Sequence, residues 1–297
     1  MSKPAKAPVG ASLVVLSSFF YASYGIWTKL MGDFFHGYTA SALRSVLVLL
    51  LLLPIALLYR QMQPLNIYQN WRYIAGMLIA SLFTWGPLYY AILHAGVGIS
   101  LAITYASIVI GSFIFGKLFA DERFTKDKAL AAGLGVIGIA LIFTPNIASL
   151  GWLALAGALV SGLSAGANTV FAKQIRYNST QSTLMLWACS VIANILMALV
   201  LRERLPAIGL HIEWVYLLFF AITSVVASWT FVKGVKLIDA GAAGVLGLLE
   251  IVFGVLFGVV FFNESPSSIA LAGMTVIILA ASIPYLKDYN VKRGTLD

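Results

Sequence analysis

The sequence predicts an all-α polytopic membrane protein whose ten transmembrane helices form two inverted five-helix repeats. Three observations predict it. Apolar runs long enough to cross a bilayer recur along the whole chain, positive charge collects in alternate loops, and motifs of the first half return in the second at a nearly constant offset. With 61% apolar residues, 10% charged residues and a mean hydropathy of +0.94 over 297 residues, no soluble domain is left over. A net charge of +8 would suggest nucleic acid in a soluble protein. Here it reads as Lys and Arg on one side of a bilayer, and no nucleic-acid partner is expected.

The predicted spans cover residues 11–31, 38–59, 71–93, 96–119, 128–144, 151–172, 181–201, 214–238, 240–262 and 268–285. Lys3 and Lys6 precede the first run as they would in a signal peptide, but the run is too long and lacks an A-x-A cleavage site, so it stays as span 1. Span 2 carries Arg44 about a third of the way in. Span 3 opens on Trp71 and is interrupted by Trp85–Gly86–Pro87, where the proline removes one helical hydrogen bond. Span 5 contains Gly133, Gly135 and Gly138 in a GxGxxG spacing; with no strand before it, this is helix packing and not a dinucleotide site. Span 6 places Ser161, Ser164 and Asn168 on one stripe, which faces either a cavity or a neighbouring helix. Span 7 holds the single cysteine, Cys189, which excludes a disulfide framework and a CxxC metal site.

Span 9 organises the rest. It runs from Ala240 to Phe262 without Lys, Arg, Asp or Pro and carries one carboxylate, Glu250. A charge at mid-membrane costs at least ~2.5 kcal/mol on insertion scales, so Glu250 must face protein or water. At 100° per residue, Ala243, Gly247, Gly254 and Gly258 share its side. Val245, Leu248, Val252, Val255 and Val259 fall opposite, which predicts a bulky lipid face and a bare inner one, with Gly254 and Gly258 admitting a neighbouring backbone.

Fifteen of the nineteen Lys and Arg residues lie at the two ends of the chain and in, or at the span edges beside, the loops after spans 2, 4, 6 and 8. The alternate loops hold Lys29, Arg202 and Arg204, so both termini are expected in the cytoplasm of a plasma or inner membrane. At an offset near 143, Trp71–Arg72–Tyr73 meets Trp214–Val215–Tyr216, Ile108–Val109–Ile110–Gly111 meets Ile251–Val252–Phe253–Gly254, and Asp121–Glu122 meets Asn263–Glu264. Residues 1–145 and 146–297 therefore form the two repeats, and five spans each makes the second copy inverted.

These residues resemble the EamA repeats of the drug/metabolite transporter superfamily. Leu248 to Gly254, followed by Phe261 to Glu264, is similar to the second repeat's signature, Glu122 to Thr125 to the first repeat's Glu-Arg-Leu-Thr, and Leu43–Arg44 to the family's Arg-containing second helix. Ile108 and Ile251 stand where that family usually has proline. The resemblance implies a ten-helix bundle around a central cavity and export of amino acids or related metabolites.

No catalytic constellation and no metal site stands out, since His36, His94 and His211 lie near span ends without HExxH or paired acids. The chain reads as a transporter, not an enzyme, with no cofactor. Phe20, Tyr24 and Trp27 at i, i+4, i+7 and Trp85 with Tyr89 form aromatic stripes that either line a cavity or pack helices. Arg44 either pairs with protein groups or holds a substrate carboxylate. The candidate substrate-binding residues are Tyr24, Trp27, Arg44, Trp85, Tyr89, Tyr105, Asn168, Trp229 and Glu250. An arginine and a glutamate in one aromatic-lined cavity suit a zwitterion, carried either with proton coupling or by facilitated passage. The alternatives are a membrane-embedded lipid-modifying enzyme and a transporter of organic cations or nucleotide-sugars. The protein is expected as a monomer or a homodimer.

Overall fold

The structure is a computed structural model that describes residues 3–95, 97–123, 125–143, 151–207 and 209–293. All regular structure among them is helical: α1 (Lys3–Ala22), α2 (Tyr24–Met31), α3 (Gly37–Leu58), α4 (Ile67–Ala95), α5 (Val97–Ala120), α6 (Lys126–Phe143), α7 (Trp152–Gln174), α8 (Ser179–Val200), α9 (Ile212–Val235), α10 (Ala240–Gly247), α11 (Leu249–Phe262) and α12 (Ser268–Arg293). Ten helical passages result, because α1–α2 and α10–α11 are each one passage broken in the middle. The predicted ends at Gly96 and Thr144 lie outside the described residues.

Eight of the passages are long and apolar enough to cross a bilayer. The first turn of α6 carries Lys126, Asp127 and Lys128, which shortens its apolar part, while residues Ser268–Ile283 of α12 form a shorter apolar helix. The two pack together. A Cβ on Gly138 would come 2.8 Å from the Gly273 carbonyl oxygen, and one on Gly273 would come 2.6 Å from that of Gly138. The last glycine of the GxGxxG spacing thus serves a helix crossing. The same device joins α5 to α7, where a Cβ on Gly166 would lie 2.6 Å from the Ser112 amide nitrogen.

Both breaks are single tightened turns. Ser23 N–H donates to Phe20 O (3.2 Å) and its hydroxyl to the same oxygen (2.6 Å); Leu248 N–H donates to Val245 O (3.2 Å). Each break sits one or two residues before a candidate site residue, Tyr24 or Glu250.

The expected lipid face of span 9 is corrected by the structure. Val245, Leu248 and Val252 are buried in a core cluster with Val109 of α5, Ile139 of α6 and Ile277 of α12. Gly254 has open space around it, and a Cβ on Gly258 would meet the Glu264 side chain rather than a neighbouring helix. The outward-exposed residues near the end of α11 are Leu256, Val260 and Phe261, together with Val259, which keeps the exposure expected of it. The expectation failed because lipid tails and a protein core are equally apolar, so bulk alone does not distinguish them.

Four non-glycine residues have positive φ: Arg60, Asp121, Arg202 and Asn263. Each follows the C-terminus of a helix, and both second-half residues follow their first-half counterparts by 142 positions. The residue after each turns back on the molecule. Gln61 accepts a hydrogen bond from the Thr180 hydroxyl at the start of α8. Glu203 accepts from Thr39 N–H (2.7 Å) and Tyr38 N–H (3.1 Å) at the start of α3. The Glu203 cap satisfies N–H groups that a helix start leaves without partners.

Candidate functional site

Arg44 lies in the second turn of α3, and its side chain is buried, with 3% relative exposure. The guanidinium carbon is 4.4 Å from the ring centre of Phe220, 4.9 Å from Tyr24, 5.1 Å from Trp85 and 5.4 Å from Trp187. Four elements, α2, α4, α8 and α9, thus each supply one aromatic wall. Among the described residues no carboxylate comes within ion-pair distance of Arg44, and its Nε–H has no hydrogen-bond partner. Rings offer a cation up to about 2 kcal/mol when desolvated. They do not accept the directed hydrogen bonds that a guanidinium fork is built to donate.

Glu250 opens α11 and accepts a hydrogen bond from the Tyr105 hydroxyl of α5 (2.8 Å). Its side chain is half-buried. Tyr24 stands within electrostatic reach of both Arg44 and Glu250, as does Tyr21, which meets Tyr24 edge-on at 5.1 Å. Arg44 and Glu250 do not form an ion pair.

The structure therefore brings Tyr24, Arg44, Trp85, Tyr105 and Glu250 into one region. Trp27 lies beside it, stacked on Phe219 at 5.7 Å with its indole N–H buried and without an acceptor. Asn168 donates weakly to the Ser81 hydroxyl (3.4 Å), and its carbonyl oxygen has no partner. Ser161 on the same stripe donates to Thr84 O (2.6 Å), so at these two residues the polar stripe of α7 faces α4 next to Trp85–Gly86–Pro87, through which α4 runs without the expected interruption. Trp229 is placed apart, donating to the Thr180 hydroxyl (3.0 Å) beneath the Lys233 ammonium. Tyr89 is 39% exposed and covers Gly37 at the start of α3. Two apolar grooves, of about 300 Å³ against α4, α5 and α7 and about 780 Å³ against α1, α10, α11 and α12, include none of the nine candidates.

Trp187 and Phe220 escaped the sequence reading, as two more aromatics in apolar spans. One signal pointed at the first of them: laid over at an offset of 143, Arg44 falls on Trp187. Trp187 is held in place by its indole N–H, which donates to the Ser228 hydroxyl (2.8 Å). Phe220 meets Tyr24 edge-on at 4.5 Å.

A second group of charges lies at the end of the bundle that carries most Lys and Arg, hereafter the basic end. Glu122 accepts from the N–H groups of Ala240 (2.8 Å) and Gly241 (3.4 Å) at the start of α10 and from Lys173 Nζ (2.5 Å). Lys128 pairs with Asp239 beside it. The Lys236 ammonium donates to Ile175 O (2.9 Å), Tyr177 O (3.1 Å) and Lys173 O (3.4 Å), at and beyond the C-terminus of α7. Burial pushes this ammonium down to about 8 from the usual lysine range.

The chain is similar to solute carrier family 35 member G1 of Homo sapiens, at 23% identity over 92% of this chain and 78% of that protein. A solved crystal structure of a protein shares the fold, with a TM-score of 0.77 over 98% of this chain and 99% of that one at 16% identity. The model of the EamA-like transporter family matches residues 8–144 and again 152–285. With nearly all of its length matched, the chain belongs to the EamA-like transporter family of the drug/metabolite transporter superfamily.

Proposed function

We propose that this transporter exports amino acids or related small amphipathic metabolites by alternating access, through a site between two inverted five-helix repeats, residues 1–145 and 146–297. One observation carries the substrate class: a buried guanidinium, walled by four rings and without an acidic partner among the described residues, with a carboxylate whose charge reaches the same tyrosine, Tyr24, that faces the guanidinium. A carboxylate of the substrate would complete Arg44 with the two parallel hydrogen bonds that rings cannot supply. Its ammonium would meet Glu250, and an apolar side chain would lie against Trp85 and Tyr24. Family membership and the 142-residue recurrence of helix caps support the two-repeat reading.

Counterflow into proteoliposomes loaded with a mixed amino-acid pool tests the substrate class. The expected outcome is accumulation of at least one labelled zwitterionic amino acid, competed by other zwitterions and not by their decarboxylated amines. Competition by the amines alone, or by nucleotide-sugars alone, would transfer the site to another substrate class. Repeating counterflow between pH 5.5 and 8.5 distinguishes proton coupling through Glu250 from facilitated passage. Orientation is read on a Cys189→Ser background: Ser265→Cys should react with an impermeant thiol reagent from outside intact cells, and Thr125→Cys should not. Labelling of Thr125→Cys would reverse the assignment of both termini to the cytoplasm of the plasma or inner membrane.

A further inference from the structure

Each half of the chain ends a long helix with the same local device, and the two copies are in different states. At the basic end, Asp121 (φ 51°) closes α5, and the Glu122 N–H turns back to Gly116 O (3.1 Å). At the opposite end, Asn263 (φ 52°) closes α11, and the Glu264 N–H turns back to Gly258 O (3.1 Å). Each glutamate pairs with a lysine in the last turn of another helix, Lys173 of α7 or Lys29 of α2.

The surroundings differ sharply. The side chains of Glu122 and Lys173 are 9% and 17% exposed. Glu122 also caps the N-terminus of α10, and Lys173 donates to Ile238 O just before that helix (2.7 Å). One carboxylate thus ties together the end of α5, the end of α7 and the start of α10. Lys29 and Glu264, in contrast, meet at 2.7 Å with 54% and 56% exposure, and the ammonium lies 4.1 Å over the Phe262 ring. An exposed pair of this kind contributes little to stability, whereas a buried carboxylate that accepts from a helix N-terminus and an ammonium contributes much more.

We propose that Glu122–Lys173 and Glu264–Lys29 are the two gates of the transport cycle, and that this structure holds the first closed and the second open. In the opposite state Glu264 takes on the role of Glu122. It caps the start of α5 at Val97, while Lys29 reaches the carbonyl of Ala95 at the end of α4, and Glu122 releases α10. At the repeat offset of 143, Val97 corresponds to Ala240 and Ala95 to Ile238. The exchange rests on the alternating-access reading above, in which closing one end and opening the other is a single rearrangement.

Spin labels at Thr28→Cys and His94→Cys, on a Cys189→Ser background, report the distance across the Glu264 end, since both positions are exposed. They are measured by double electron–electron resonance on full-length protein in nanodiscs without substrate. Glu122→Gln should raise the short-distance population relative to the long one by about tenfold, the effect of removing a charge-assisted buried contact from one of two states. Adding Glu264→Gln or Lys29→Gln to that variant should return the long distance. This reversal cannot come from a damaged fold. A Glu122→Gln variant without a short population, or one whose short population survives the second substitution, overturns the gate assignment. Because no substrate is present, that failure is separate from failure of the amino-acid reading, which counterflow alone decides.

Discussion

A buried cation and a half-buried one have opposite surroundings in this protein. Lys236 lies just past α9 and donates hydrogen bonds to three backbone carbonyls at and beyond the end of α7, where a helix C-terminus leaves such groups without partners. Arg44 lies inside α3, where four rings surround it and no acidic group or Nε acceptor is present among the described residues. The first charge is hydrogen-bonded within the fold, although burial still disfavours its charged form. The second is solvated only in part, and a buried cation kept in that condition is poised for an anion that arrives from outside.

Substitution of each cation breaks the comparison most directly. Arg44→Met should lower counterflow by about 100-fold, since the lost charge-assisted contact is on the order of 3 kcal/mol. Its melting temperature should hold or rise, because replacing an incompletely paired buried charge by an apolar chain is neutral to stabilising. A variant that melts several degrees lower and still transports would make Arg44 a structural residue.

Lys236→Met should do the reverse. It leaves three carbonyls short of a donor and costs roughly 1–3 kcal/mol of stability, while transport per folded molecule is retained. The pH dependence sharpens this. With the folded ammonium near 8 and the unfolded one in the usual lysine range, the unfolded chain binds more protons in between, so the contribution of Lys236 to stability rises as pH increases above about 8 and is level below it. Melting curves at pH 7, 8, 9 and 10 should diverge between wild type and Lys236→Met in that upper window alone. Parallel curves would remove the titration from Lys236.

Glu250 lies between these extremes, with a single bond from Tyr105. Tyr105→Phe and Glu250→Gln should each cost about 1 kcal/mol and couple to one another. Arg44→Gln and Glu250→Gln should instead be additive within about 0.5 kcal/mol, because the two charges do not pair. Rescue of one by the other in melting experiments would show a direct ion pair. The aromatic stripes give a graded series: Trp85→Ala should weaken transport by about tenfold through loss of a wall of the Arg44 cage, Trp27→Ala less, and Tyr89→Ala hardly at all. Equal losses for Trp85 and Tyr89 would extend the site to the end of α3.

The sites were readable to different depths, for a common reason. Arg44 and Glu250 announce themselves because a charge in an apolar span is costly wherever it points. Trp187 and Phe220 do not, because an aromatic side chain is equally at home in a core, in lipid or around a cation. Tyr89 repeated the spacing of Trp85 and still ended at the rim, since i, i+4 spacing fixes a shared helix face but not the depth at which the face meets its neighbours.

Local chemistry was enough for the helical class, the ten passages, the uneven distribution of Lys and Arg, and the presence of two charges that must avoid lipid. Each of these follows from the cost of leaving backbone or charge in hydrocarbon, which a single segment experiences alone. Packing settled what no segment contains by itself: the breaks at Ser23 and Leu248, the burial of Val245 and Val252, the four rings around Arg44, and the bond from Tyr105 to Glu250. Inside a bilayer the hydrophobic effect gives helices no preferred face, so partners are chosen by close contact between small residues and by hydrogen bonds across helices. Those contacts join residues 145 positions apart in the case of Tyr105 and Glu250, and they exist only once the helices have been assembled.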